Sequence, residues 1–234
     1  MNRNHDNAPA LEVIELKTAE RPSCGIVWLH GLGADGHDFV PIAEAMPRLA
    51  ARGVHYRFPH APYRPVTINN GMVMRAWYDI TGMELQRGQD GAGIAAACAA
   101  LRALLAADRT LPVCRLFLAG FSQGGVIALA TGLGLETPPA GIVALSCYLP
   151  AAGLPDPWPQ PAARRVPVFM AHGRHDPLIP PALGEAGRRT LQAAGIAVDW
   201  HTYPMQHQVC AAEIADLETW LLARLAQLDG GETA

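Results

Sequence analysis

The chain has 234 residues, half of them hydrophobic, which suffices for one substantial core. A formal net charge of −3, with Lys17 the single lysine among the 18 basic residues, excludes a broadly basic surface for nucleic acid or anionic lipid. Five cysteines without C-x-x-C spacing argue against a disulfide framework or a structural zinc site, and a polar start, Met1-Asn2-Arg3-Asn4, lacks the apolar stretch of a signal peptide. No apolar run is long enough for membrane insertion, so the expectation is a reduced, cytoplasmic protein.

In chain order, residues 1–10 read as a tail. An opening strand near Leu11 to Leu16 suits an antiparallel edge. Gly25 to Leu29 is a continuous apolar run, followed by Val54 to Phe58, which alternates more. Cys114 to Ala119, Gly141 to Leu145 and Val166 to Met170 are again nearly unbroken, as strands buried on both faces of a parallel sheet are. Ala197 to Tyr203 alternates and belongs nearer an edge. Helices are expected at about Phe39 to Arg52, Gly93 to Ala107, Gln123 to Leu135, Pro181 to Ala194 and Val209 to Leu228. The last places Ile214, Leu217, Leu221, Leu225 and Leu228 on one stripe. This alternation predicts a mostly parallel, doubly wound α/β sheet with helices on both faces, forming a single domain over 11–228 with a tail at 229–234. Three long connections, Pro59 to Trp77, Thr81 to Gly91 and Pro150 to Pro161, lie between these elements. The first two are expected to shape a binding site, and the third to be an ordered surface loop.

Between a buried strand and an apolar helix lies Gly120-Phe121-Ser122-Gln123-Gly124. A Gly-x-Ser-x-Gly pentapeptide alone is weak evidence, and an ordinary turn serine is the bland alternative. The strand-to-helix context is what sharpens it. A turn tight enough to lift a serine above the sheet crowds its neighbours, and glycines two residues before and after remove the colliding Cβ atoms. Ser122 then stands at a helix N-terminus, where unpaired N–H groups favour developing negative charge.

A serine hydroxyl needs a base, and the base an orienting acid. In a parallel sheet these come from loops at the carboxyl ends of strands. His172-Gly173-Arg174-His175-Asp176 follows one strand and Pro204-Met205-Gln206-His207 the final one, giving Ser122, Asp176 and His207 in the chain order of such a triad. Two backbone N–H groups are candidates for an oxyanion hole. One is that of Gln123, directly after the serine, and the other that of Leu32 in His30-Gly31-Leu32-Gly33. For the acyl group, Met72, Val73, Trp77, Leu178 and Ile179 are the candidate apolar contacts, with ordinary core packing the alternative.

The motifs His30-Gly31-Leu32-Gly33, Gly120 to Gly125, His172-Gly173 with Asp176, and Tyr203-Pro204-Met205 before His207 resemble the phospholipase/carboxylesterase family of α/β-hydrolases. Arg64 to Asn69 and Arg75 to Ile80 are most similar to its small bacterial carboxylesterases, and the likeness runs from about residue 11 to 228. The resemblance implies an α/β-hydrolase without a large cap domain, often dimeric, needing no cofactor and no metal. It implies the same triad and oxyanion donors, acting on carboxylic esters, thioesters or lysophospholipids. Gln206 stands where the family usually has glycine. Three rivals remain open: a metal-dependent hydrolase built on His30, Asp35, His37, Asp38, His172 and His175, which lacks a ligand spacing; a non-catalytic small-molecule receptor, supported by Gln206; and a peptidase on the same fold.

Overall fold

The computed structural model describes residues 11–82, 89–151, 154 and 158–231. Both predicted tails in large part, residues 83–88 of the Thr81 to Gly91 loop, and five positions of the Pro150 to Pro161 segment lie outside the described residues.

Seven strands form one sheet: β1 (Val13–Lys17), β2 (Cys24–Leu29), β3 (Val54–Pro59), β6 (Leu116–Phe121), β7 (Gly141–Leu145), β8 (Val168–Gly173) and β9 (Val198–Tyr203). Their spatial order is β1-β3-β2-β6-β7-β8-β9. Only β1 runs antiparallel, pairing with β3, and every other neighbour is parallel. Every residue of β2, β3, β7 and β8 is buried; β2, β7 and β8 accordingly carry little alternation, whereas β3 alternates because its polar His55 and Arg57 are buried too, beside Glu15 and Asp108. The edge strand β9 mixes exposed and buried positions. The strand order reverses between β2 and β6, so the loops leaving these two strands open a crevice at their carboxyl ends.

A two-stranded hairpin, β4 (Tyr63–Val66) with β5 (Met72–Arg75), occupies the long loop expected at Pro59 to Trp77. Its signal was present in Asn70-Gly71, where both residues adopt positive φ (56° and 77°), as hairpin turns require. The expected helix from Phe39 to Arg52 is two short ones, α1 (Val40–Glu44) and α2 (Pro47–Ala50). Pro47 lacks an N–H and pushes Met46 out of helical geometry, to φ −115° and ψ 65°. The buried Glu218 carboxylate rejoins α2 to the last helix, accepting from Leu49 N–H at 3.0 Å and Arg48 Nε at 2.8 Å.

Helices α3 (Gly91–Ala107), α4 (Gln123–Gly132) and α5 (Pro181–Ala193) cover one face of the sheet; α1, α2 and α6 (Ala211–Gly231) cover the other. Asp90 caps α3 by accepting from Gly93 N–H at 2.8 Å. Along β6, Leu116 and Leu118 enter the first core while Phe117 and Ala119 enter the second, the two-residue period of a strand sandwiched between helices. Every residue of α4 is buried, because α3 packs over it. That helix begins directly after Ser122 and is the rigid support of the serine.

At the start of α6, Glu213 is fully buried, and neither carboxylate oxygen has a hydrogen-bond partner of ordinary geometry among the described residues. Burial pushes its pKa from 4.5 up to about 8, the Cys210 amide acting weakly the other way. The folded chain therefore holds a proton that the unfolded chain releases, and stability falls as pH rises between those two values. The slope is roughly 1.4 kcal/mol per pH unit. Glu213→Gln is expected to remove this slope and to raise Tm at pH 8 by roughly 5–10 °C. Thermal unfolding of both proteins from pH 5 to 8 checks it, and parallel profiles would count against the assignment.

Candidate active site

Ser122 joins β6 to α4 with φ 53° and ψ −119°, a conformation that costs a non-glycine residue on the order of 1–3 kcal/mol. The surroundings hold it there. Its N–H donates to Leu145 O at 2.8 Å, and its carbonyl accepts from Gly125 N–H at 3.0 Å. A Cβ on Gly120 would collide with the Gly124 backbone, and one on Gly124 with the Leu29 and His30 carbonyls, so both glycines are there for close approach. The strained serine is a consequence of β2, β6 and α4 meeting more closely than side chains permit.

Asp176 follows β8, its side chain fully buried. Its Oδ1 accepts from the Leu178 and Ile179 N–H groups, each at 2.9 Å, and its Oδ2 lies 2.7 Å from Nδ1 of His207. The loop after β9 carries His207, whose ring packs 4.7 Å from that of Phe121. Thus two contacts, one polar and one aromatic, set the plane of the imidazole. His172 also approaches Asp176, at 3.4 Å, but its Nε2 is closer to Ile179 O, at 2.8 Å. It is buried, and burial lowers its pKa, so it acts as a neutral brace for the acid loop. His175 is exposed, and His201 stacks on Phe169. Among the described residues the Ser122 hydroxyl makes no hydrogen bond. Such bonds often tighten only once a ligand is bound.

The loop after β2 runs beside the serine. A Cβ on Gly31 would stand 3.3 Å from the Phe121 ring and 3.5 Å from Ser122 Cβ, so the main chain there passes as near as atoms allow. Gly33 N–H is anchored to Arg75 O and Ala34 N–H to Gly31 O, while the Leu32 N–H has no backbone partner among the described residues. The Gln123 N–H, first in α4, has none either. His30 braces this loop from beneath. Its Nε2 accepts from Ala61 N–H at 2.9 Å, which leaves the proton on Nδ1, 2.7 Å from Gly31 O. The Gln123 side chain, buried, accepts from Trp77 N–H at 2.8 Å and donates to Tyr78 O at 2.7 Å. It ties the segment after β5 to the helix start, a role the sequence did not disclose.

These groups line a cavity of about 580 Å³, within the range of ordinary small-molecule sites. Ser122, Gln123, Leu32 and His207 border it, together with Leu178 and Ile179 from the acid loop. Met72 and Val73 do not reach it. They sit on β5 of the hairpin and are each 63% exposed, because the hairpin stands off the sheet. Trp77 is not a lining residue either; it is buried in the core, donating from Nε1 to His30 O at 2.9 Å. The walls that sequence reasoning missed include Phe39, Ile42, Ile68, Ile80, Tyr148 and Val209. They come from five separate stretches of chain, and no local pattern distinguishes them from ordinary core residues.

A family model described as Phospholipase/Carboxylesterase matches residues 10–224. The chain belongs to the phospholipase/carboxylesterase family. Its relatives include acyl-protein thioesterase 1 of Neurospora crassa, 36% identical over 219 residues, or 89% of each chain. The protein of the same name from Mycosarcoma maydis is 34% identical over 89% of this chain and 94% of its own. Among solved structures, Arabidopsis thaliana SOBER1 superimposes with a TM-score of 0.78 at 28% identity, covering 86% of this chain and 99% of the other. Zea mays acyl-protein thioesterase 2 gives 0.78 at 25% identity, over 92% and 99%.

Phospholipase/carboxylesterase membership makes the fold an α/β-hydrolase, here without an evident cap domain among the described residues, and the activity a hydrolysis of ester bonds by a serine hydrolase. No helix among the described residues is long and apolar enough to cross a membrane. All five cysteines are free thiols. The ligand set of the metal-dependent rival is not gathered. Among the described residues no three His, Cys, Asp or Glu side chains are grouped as a metal would need, and both His30 nitrogens face main-chain groups. Gln206, where the family usually has glycine, is exposed, and its φ is not in the left-handed region. The turn before His207 therefore does not call for glycine, and the receptor reading loses its one support.

Proposed function

We propose that the chain is a serine carboxylesterase for short- to medium-chain carboxylic esters, extending to thioesters and lysophospholipids, working through an acyl-enzyme on Ser122. His207 Nε2 takes the hydroxyl proton as Ser122 Oγ attacks the acyl carbonyl. Asp176 holds the proton on Nδ1 and offsets the charge of the imidazolium. The Leu32 and Gln123 N–H groups receive the oxyanion, each contributing about 3 kcal/mol. The imidazolium then protonates the departing alkoxide or thiolate. Water, activated by the same imidazole, attacks the acyl-enzyme, and the acid leaves with Ser122 restored.

One observation carries the reading. A strained serine shares its cavity with an imidazole whose far nitrogen is held 2.7 Å from a buried carboxylate. The thioester extension is supported by the relatives that bear the name acyl-protein thioesterase. Among the described residues the cavity wall carries no lysine or arginine, which favours neutral substrates.

A serine-directed alkyl phosphonate tests it. Treatment is expected to add one phosphonyl group to the peptide containing Ser122 and to stop hydrolysis of nitrophenyl esters and acyl thioesters across a chain-length series. Activity that resists the phosphonate but is lost to a chelator would overturn the proposal in favour of a metal-dependent hydrolase.

A further inference from the structure

Two buried phenols line the candidate cavity and have no part in the mechanism above. Tyr78 lies just after β5 and Tyr148 just after β7, and their hydroxyl oxygens are 3.1 Å apart. Both side chains are almost wholly buried, at 2% and 3% exposure. Burial raises the pKa of each, so both hydroxyls keep their protons.

The count of protons decides what the pair can do. Two phenols carry two O–H groups, and the bond between them uses one. The phenol that accepts must aim its own proton elsewhere, and among the described residues no protein acceptor meets it. Four other wall residues, Ile68, Ile80, Leu178 and Ile179, are aliphatic, while Asp38, Asn69 and Gln208 also line the cavity. A water can serve the spare proton while the cavity is empty. A plain alkyl chain that displaces the water leaves the proton unpaired, whereas a chain carrying an oxygen replaces the lost bond.

We infer that Tyr78 and Tyr148 form a polar spot on a mostly apolar wall of the substrate cavity and select esters with a second oxygen acceptor, such as an ether, ketone or hydroxyl, in addition to the scissile carbonyl. This rests on the esterase reading of the same cavity. It makes the pair a specificity determinant.

The test compares matched esters in which one methylene is replaced by an ether oxygen or a ketone. The replacement is moved along the acyl chain in one arm and along the alcohol in the other, starting beyond the positions that activate the carbonyl inductively. In wild type, one position is expected to be preferred about tenfold in kcat/KM over the plain chain. Either single variant, Tyr78→Phe or Tyr148→Phe, still has one free phenol proton, so the decisive protein is the double variant. There the ratio of oxygenated to plain ester is expected to fall to about one. Replacing both partners of a buried hydrogen bond by apolar rings of like shape is nearly neutral for folding. A preference at no position of either arm, or one that survives in the double variant, overturns the inference. Calorimetric binding of the intact esters to Ser122→Ala, with and without the two phenylalanines, reads the same ratio independently of turnover. If no ester is hydrolysed at all, the esterase reading fails while the binding ratio still decides the role of the phenols.

Discussion

Ser122→Ala is expected to lower kcat for an activated ester by about 10⁴- to 10⁶-fold, with KM little changed. The size of the effect follows from what the residue does alone. No other hydroxyl stands at the β6–α4 junction, and removing Oγ leaves His207 and the two N–H donors with nothing to activate. The oxyanion donors and the cavity still bind the substrate, so a residual rate of about 10³-fold over water is consistent with the mechanism. The folded state does not suffer. A serine at φ 53° is strained by its backbone, and alanine in the same place bears much the same strain. Far-ultraviolet circular dichroism and thermal unfolding should match wild type, so that a loss of rate cannot be a loss of fold. Equal rates in the two proteins would remove the serine from the mechanism.

Asp176→Asn should cost about 10⁴-fold in kcat while leaving the loop in place. The amide oxygen can stay where Oδ1 accepts from Leu178 and Ile179, which puts the NH₂ group 2.7 Å from His207 Nδ1. A donor there forces Nδ1 to accept, and the ring proton moves to Nε2, the nitrogen that must take the serine proton. The geometry is kept and the tautomer is wrong. Nitrogen-15 chemical shifts of the His207 ring would report the change directly. Asp176→Ala breaks the same contact differently: it also strips the two amides of their acceptor and should lower stability by about 1–3 kcal/mol, a loss the asparagine variant avoids. A nearly active asparagine variant would transfer the orienting role elsewhere, and His172, 3.4 Å from the carboxylate, is too far and too firmly bound to Ile179 O to take it.

The strands and most helices were legible because burial on both faces of a parallel sheet leaves unbroken apolar runs, and because α6 carries an apolar stripe. That Ser122, Asp176 and His207 gather at one end of the sheet was legible for a related reason: a parallel sheet brings together the loops leaving its strand ends, and each of the three follows a strand that the sequence marks. The hairpin β4–β5 was missed although Asn70-Gly71 announces it, since its strands are only four residues long and half exposed. The break at Pro47 was written in the sequence as well, and the apolar spacing on either side of it concealed the stop.

What the sequence determined by itself is whatever depends on neighbours along the chain: the periodicity of each element, the glycines that allow a crowded turn, and the order in which the proposed nucleophile, acid and base arrive. What only the tertiary structure decided is everything that depends on neighbours in space. It moved Met72 and Val73 out to solvent and put Trp77 into the core, and it used the Gln123 side chain to fasten two segments 45 residues apart. It also set the Tyr78 and Tyr148 hydroxyls 70 residues apart in the chain and 3.1 Å apart in space. A cavity wall is assembled from loops whose separation is fixed by how the sheet twists and the helices pack. That information resides in the sum of many weak contacts, and no single stretch of sequence holds it.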